Sequence, residues 1–254
     1  MTDDLLSCFG SATEVSPPAK QLPEGKITYY TDVIQGGDEW LGLRRGLLTA
    51  SEMKNIITPT LRYAENDKER AHVYEIAAQR ITGYVEPHYI SDDMLRGTND
   101  EIEARFLYDA NFAPVHDVGF ITNDALGFII GYSPDGLVGE DGLIECKSRR
   151  QKYQLQTLVE CVPGNTIPAE FMIQIQTGLL VSQRQWCDFV TYCGGMEMAV
   201  VRVLPDEKIQ AAIVAAATAF EAKVQEKIAK YNTIMESDAR LIPTERKVEQ
   251  EMHI

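Results

Sequence analysis

The 254-residue chain is poor in the side chains that usually cross-link folds or hold soft metals. Its five cysteines, Cys8, Cys146, Cys161, Cys187 and Cys193, form an odd set without a C-x-x-C pair, which argues against a disulfide framework, a zinc site or an iron–sulfur cluster. The four histidines, His72, His88, His116 and His253, are scattered without metal-ligand spacing, so any metal is expected on oxygen ligands. No apolar run reaches the length that spans a bilayer, and the N-terminus lacks the basic and apolar regions of a signal peptide. A soluble, intracellular protein is therefore expected. There is no internal repeat, no low-complexity segment and no long flexible linker. The length suits one large α/β core over residues 27–254, preceded by an irregular arm over 1–26 that carries Pro17, Pro18, Pro23 and Gly25.

Positive charge is also scarce. Twenty-four basic against thirty-eight acidic side chains give a net charge of -14, which at first argues against nucleic acid as a partner. Screening over about 8 Å at physiological salt weakens that objection, because a local basic channel acts independently of an acidic exterior. The residues that would line such a channel are Arg44, Arg45, Arg149, Arg150 and Lys152. Each of them also fits a solvated helical face.

What the chain does have is Gly131-Tyr-Ser-Pro-Asp-Gly136 followed by Leu143-Ile-Glu-Cys-Lys147. On a strand, side chains alternate in direction, so Glu145 and Lys147 share one face and Cys146 points the other way. The turn-rich Gly139-Glu-Asp-Gly142 lets the preceding strand fold back and bring Asp135 to the same face. The same residues also read as a hairpin with a Pro-Asp-Gly turn and one cross-strand salt bridge. Leu143 and Ile144, however, lead straight into the charges, and placing acids where a strand enters apolar core needs a reason such as metal binding. Two carboxylates suit Mg²⁺ or Mn²⁺, and an adjacent lysine holds or helps deprotonate a water that attacks a phosphodiester. That is nuclease chemistry.

Periodicity predicts helices over 51–57, 67–82 with Val73, Ile76, Ala77 and Ile81 inward, and 92–108 with Ile102 and Phe106 on one face. Strands are expected over 115–121, 127–132 and 143–147, then helices over 148–160 and 169–182, the latter carrying Phe171, Ile175 and Leu179 on one side. Strands over 187–192 and 199–204 lead into a long helix over 206–235. Its stripe of Ile209, Ile213, Phe220, Val224 and Ile228 reads most simply as core packing, with a subunit interface as the alternative.

In this order of elements the chain resembles the PD-(D/E)XK nuclease superfamily, and more narrowly the phage lambda exonuclease and YqaJ-type viral recombinase family. The residues that carry the resemblance run from Trp40 to about Ser182 and occur in family order. They are Trp40-Leu-Gly-Leu-Arg-Arg-Gly46 leading to Thr49-Ala-Ser-Glu52, Arg96-Gly-Thr-Asn-Asp-Glu101 with Ala104-Arg105, Ser133-Pro-Asp-Gly136, Glu145-Cys-Lys147, and Phe171-Met-Ile-Gln-Ile-Gln176. The resemblance implies a restriction-endonuclease-like α/β core, a central mixed β-sheet flanked by helices.

It also implies roles by position. Asp135, Glu145 and the backbone carbonyl of Cys146 become ligands of Mg²⁺ or Mn²⁺, Lys147 orients and activates the nucleophilic water, and Glu101 holds the second of two ions. Arg44, Ser51, Ser133 and Gln174 match a pocket for a terminal 5′-phosphate, with Arg45 able to replace Arg44 if the alignment slips by one residue. The activity implied is a magnesium-dependent 5′ to 3′ exonuclease that degrades one strand of linear duplex DNA from a 5′-phosphorylated end to mononucleotides, leaving a 3′ single strand. The implied setting is a ring-shaped homotrimer in the cytoplasm of a bacterial host, working with a single-strand annealing protein in phage-type recombination. A structure- or site-specific endonuclease with the same metal core, or a non-catalytic protein that binds DNA ends, are the alternatives.

Overall fold

The computed structural model describes residues 25–87 and 92–246. The expected arm over 1–26 lies, except for its last two residues, outside them, as do Cys8, His88 and His253. The elements in order are β1 (Ile27–Tyr30), α1 (Asp38–Arg44), β2 (Leu48–Thr49), a 3-10 turn (Met53–Asn55), α2 (Asp67–Thr82), α3 (Asp92–Asn111), β3 (Val115–His116), β4 (Phe120–Asn123), β5 (Ile130–Tyr132), β6 (Gly136–Val138), β7 (Gly142–Ser148), α4 (Gln151–Gln156), α5 (Ala169–Ser182), β8 (Trp186–Tyr192), β9 (Ala199–Val203) and α6 (Glu207–Met235). The mixed α/β class is as expected, with helices flanking the strands. Among the described residues no helix is long and apolar enough to cross a membrane.

The strands divide between two sheets instead of one. One has the order β1-β4-β5-β2 and the other β3-β6-β7-β8-β9, in which only the β7–β8 pair is parallel. The single strand expected over 115–121 is β3 in the second sheet and β4 in the first. Gly119 marks the change: a Cβ there would lie 2.1 Å from the Val33 carbonyl oxygen, so the backbones touch where the chain leaves one sheet for the other. A second crossing runs through Ser133, Pro134 and Asp135, between β5 and β6. Proline has no N–H to continue a ladder, which ends β5 and starts a new pairing. The partner of β7 is accordingly β6, not the strand expected over 127–132.

Other departures have local causes. The expected helix over 51–57 is a tight turn whose bonds run three residues back, from Glu52 N to Thr49 O and from Ile56 N to Met53 O, because Met53 and Ile56 are both drawn fully into the core. The helix expected from residue 148 starts only at Gln151. Arg149 N still donates to Tyr192 O at 2.7 Å, so the β7–β8 ladder extends past Ser148. After Gln156 the helix loosens into a π-turn over Thr157–Cys161.

The main core lies under α2, α5 and α6. Val73, Ile76 and Ala77 of α2 and Ile213, Phe220 and Val224 of α6 are buried together, which makes the α6 stripe core packing. A bidentate pair ties α2 to α6, with Arg80 Nη1 and Nη2 donating to Glu221 at 2.6 and 2.8 Å. A second cluster packs Ala104 and Tyr108 of α3 on Ile144, Cys146 and Val190. Ile102 and Phe106 share a face of α3 as their spacing predicts, but that face points outward and leaves them 62 % and 68 % exposed. Tyr108 instead holds the helix, its hydroxyl donating to the buried Asp188 at 2.6 Å while Arg202 grips the same carboxylate with two bonds of 2.8 Å.

Close packing behind β5 allows a direct check. A Cβ on Gly131 would lie 2.2 Å from the Phe120 ring, whereas one on Gly42, in α1, meets nothing within 4 Å. Gly131→Ala is expected to lower unfolding free energy by about 1–3 kcal/mol through overpacking. Gly42→Ala should be neutral or stabilising by up to about 1 kcal/mol, because alanine removes glycine's entropy penalty in a helix. Urea denaturation of both variants measures the contrast.

Candidate active site

The acids meet where β6 ends against β7. Pairing of Gly136 with Ile144 and of Leu137 with Leu143 sets Asp135 across from Glu145, so both side chains lie on one face. Asp135 Oδ2 accepts from Cys146 N at 2.5 Å, which fixes its carboxylate against the β7 main chain. Glu145 is 1 % exposed and accepts from three donors. Tyr132 Oη donates to Oε2 at 2.7 Å, Lys147 Nζ donates to Oε1 at 2.7 Å, and the Gln174 amide donates to Oε1 as well. Cys146 faces the other way, buried with Ala104 and Val190.

The charges feel one another strongly. Burial, then the neighbouring Glu145 and Glu101, push the Asp135 carboxyl well above the usual carboxylate range. Burial also raises Glu101, with Glu145 adding to the rise and Arg105 and Lys147 opposing it. For Lys147 burial favours the neutral amine, but Glu145 and Asp135 outweigh it and hold the ammonium above its ordinary value. Lys147 is thus a donor, placed 5.8 Å over the Phe171 ring. Glu101 reaches the group from α3, seven residues before Tyr108 and on the same helical face. The end of β7 is tied to that helix by the Ser148 hydroxyl, which donates to Asp100.

A hard divalent cation fits this set. Among the described residues no three His, Cys, Asp or Glu side chains make a ready cage for a metal. Mg²⁺ does not need one, since it is usually bound by one or two carboxylates with waters and substrate phosphate oxygens completing the octahedron. Two repelling acids beside a main-chain segment are a donor set of that kind.

Arg44, Ser51 and Ser133 gather on the other side of the 133–135 crossing. Arg44 closes the last turn of α1 and lies 4.4 Å over the ring of Trp40, one turn earlier. Trp40 Nε1 donates to Ser133 Oγ at 2.9 Å and to Gly119 O at 3.1 Å, and Arg44 Nη1 donates to the same Ser133 Oγ at 3.3 Å. Arg44 Nη2 donates to Thr49 Oγ1 at 3.2 Å, and Thr49 Oγ1 lies 3.3 Å from Ser51 Oγ. Glu52 anchors this hydroxyl, accepting from Thr49 Oγ1 at 2.7 Å. Burial lowers the pKa of Arg44 and Glu52 opposes the fall. Arg45 points elsewhere, donating to Gly83 O at 2.8 Å behind α2. The geometry therefore favours Arg44 over Arg45. Gln174 is bonded to Glu145, not to Arg44 or Ser133.

Of the other basic candidates, Arg149 is only 10 % exposed, paired with Glu170 at 2.6 Å and set between the rings of Phe171 and Tyr153 at 5.1 and 5.2 Å. Lys152 lies 4.6 Å over Tyr153. With Arg96, Asp100 and Arg150 they border an open cavity of about 650 Å³ beside the end of β7. Sequence spacing did not single out Trp40, Thr49 or Tyr132. A signal existed only for Trp40, whose place four residues before Arg44 stacks the two on one helical face.

Crowded acids carry a stability consequence. Because its folded-state pKa is raised, Asp135 contributes no penalty below the ordinary carboxylate range, where it is protonated folded and unfolded alike. Stability is lost as pH rises from that range through the raised value. In EDTA at pH 7–8, Asp135→Asn is expected to melt higher than the unaltered protein, by about 2–4 °C for each kcal/mol of repulsion relieved. Differential scanning calorimetry decides it, and an equal or lower melting point would show that the acids do not strain the metal-free fold.

Comparison with known proteins bears on this geometry. A family model for the YqaJ-like viral recombinase domain matches residues 39–185. The chain is similar to the crystal structure of an alkaline exonuclease (LHK-Exo) from Laribacter hongkongensis, with 30 % identity, a TM-score of 0.69, and coverage of 79 % of this chain and 98 % of that one. It is similar in the same measure to LHK-Exo in complex with dAMP, at 29 % identity and a TM-score of 0.69. No curated protein matches. With more than half its length matched by that family model, the chain belongs to the YqaJ-like viral recombinase family.

Proposed function

We propose that the protein is a divalent-metal-dependent exonuclease that degrades the 5′-ended strand of linear duplex DNA, starting from a 5′-phosphate, to mononucleotides and a 3′ single strand for recombination by annealing. One observation carries this: Ser133, bonded to Arg44 and Trp40, and Asp135, bonded to the β7 main chain beside Glu145, are two residues apart on one crossing segment. An anion pocket and a pair of metal-binding acids so close in the chain fit a substrate held by its end and cut next to that end. The alkaline exonucleases among its structural relatives support the same reaction class.

In this reading the guanidinium fork of Arg44 and the hydroxyls of Ser51 and Ser133 receive the terminal phosphate dianion, with Gln174 as a further donor when its amide leaves Glu145. Asp135, Glu145 and the Cys146 carbonyl would hold one Mg²⁺ or Mn²⁺ and Glu101 would contribute to a second, and such ions would supply charge stabilisation for the oxygens of an in-line displacement. The Lys147 ammonium donates to the attacking water and orients it toward phosphorus. A new P–O bond forms from that water as it gives up a proton to bulk solvent, the bond to the 3′ oxygen breaks, and the leaving oxygen takes a proton from solvent. Family membership further supports a homotrimeric ring around DNA and a single-strand annealing protein as partner.

Lys147→Ala is expected to retain end binding and lose about 10²–10³-fold in turnover, the size found when one transition-state donor is removed. Removal of the 5′-phosphate should slow the unaltered enzyme by roughly tenfold to hundredfold, as expected for hydrogen bonds to a charged group. Arg44→Ala should erase that difference. A time course on 5′- and 3′-labelled linear duplex with Mg²⁺ or EDTA, beside a closed circular plasmid, reads polarity, metal need and end dependence together. Rapid nicking of the circle would identify an endonuclease instead.

A further inference from the structure

Tyr132 is the last residue of β5, with its ring 1 % exposed and its hydroxyl 2.7 Å from Glu145 Oε2. A phenol can be buried this deeply only with a partner for its O–H, and here the partner is a carboxylate in the candidate metal site. The ring has no freedom to turn away. A Cβ on Gly178 of α5 would lie 2.6 Å from it, so the helix backbone presses on its face, and pairing with Ile121 in β4 fixes the backbone below. The hydroxyl engages Oε2 from the core side, while Lys147 and Gln174 both engage Oε1. The two oxygens of Glu145 are therefore distinguished by their donors.

We propose that Tyr132 is a positioning residue for the metal site: by occupying Oε2 from within the core, it locks the Glu145 carboxylate in the rotamer that presents its other edge beside Asp135. The inference rests on the metal-dependent reading above. Three features of the same short segment support it. Tyr132 pins the side chain of Glu145, Ser133 joins the anion pocket, and Asp135 pins the main chain at Cys146, so residues 132–135 are fastened to β7 at both ends. Without the hydroxyl, Oε2 would keep its burial and lose its donor, and a buried carboxylate oxygen without a donor turns toward another one instead of waiting in place. Loss of a group that orients a metal ligand typically weakens metal binding 10–100-fold.

The test is calorimetric titration of the full chain with Mn²⁺ alone, without DNA, for the unaltered protein, Tyr132→Phe and Gly178→Ala. Tyr132→Phe keeps the ring and removes only the O–H, and it should bind Mn²⁺ about 10–100-fold more weakly while a competition assay shows its preference for 5′-phosphorylated ends unchanged. Gly178→Ala keeps the O–H and displaces the ring, and should weaken Mn²⁺ binding in the same direction. An unchanged Mn²⁺ constant in either variant that retains a cooperative melt overturns the proposal, even if its melting point falls. If the unaltered protein binds no Mn²⁺ with or without DNA, the metal-dependent reading itself fails, an outcome distinct from unchanged binding in the variants.

Discussion

Burial of Glu145 is the constraint around which the rest is arranged. A carboxylate placed in a protein interior without partners would be neutralised or would unfold its surroundings. Here three donors from three different elements converge on it: Tyr132 from β5, Lys147 from β7 itself and Gln174 from α5. Each of those elements must therefore hold its position to within hydrogen-bond reach. The tight glycine contacts serve that requirement: Gly178 lets α5 press against the Tyr132 ring of β5, and Gly131 lets β5 seat against the Phe120 ring of β4. Asp135 is set against this satisfied group, and its pKa is raised first by burial and then by repulsion from Glu145 and Glu101, both of which a bound cation would offset.

The division into two sheets follows the same logic. In a single continuous strand from β5 through β6, Ser133 and Asp135 would share one face and could not turn toward two different subsites. Proline at 134 breaks the ladder, and the chain passes from the four-stranded to the five-stranded sheet. This bend lets Ser133 face Arg44 and Trp40 while Asp135 faces β7. Proximity of the two subsites is thus a property of the backbone, not of flexible side chains.

Much of this was legible in the amino-acid order, and what was not has identifiable causes. Alternation along Leu143-Ile-Glu-Cys-Lys147 placed Glu145 and Lys147 together because strand geometry allows nothing else, and α5 and α6 span the stretches their periodicity predicts. The antiparallel partner of β7 is hidden because the nearest apolar run, 127–132, lies before the proline, whereas the pairing uses only Gly136–Val138 after it. Ile102 and Phe106 have helical spacing, but periodicity shows that a helix has an apolar face without showing what that face meets; the inward positions on α3 belong to Ala104 and Tyr108. Trp40 meets Ser133 and Tyr132 meets Glu145 across the fold, and spacing carries no information about those contacts, whereas Thr49 binds Arg44, Ser51 and Glu52 within a few residues but outside any regular period.

The strongly acidic composition also takes its place in this arrangement. Lys147 and Arg149 lie largely inside the fold, and Arg44 is half-buried between Trp40, Thr49 and Ser133, so these cations meet only a group that enters the pocket. Within a screening length of about 8 Å, a duplex laid side-on against the surface is repelled by a protein of net charge -14. A terminal phosphate differs from an internal one in carrying a second negative charge and in standing clear of the helix, so it alone can reach a recessed guanidinium with little of the duplex following it in. On the proposed reading, the acidic exterior and the recessed basic pocket would work as one selective device, in which repulsion along the length of DNA lowers internal binding and attraction at one recessed point captures the end.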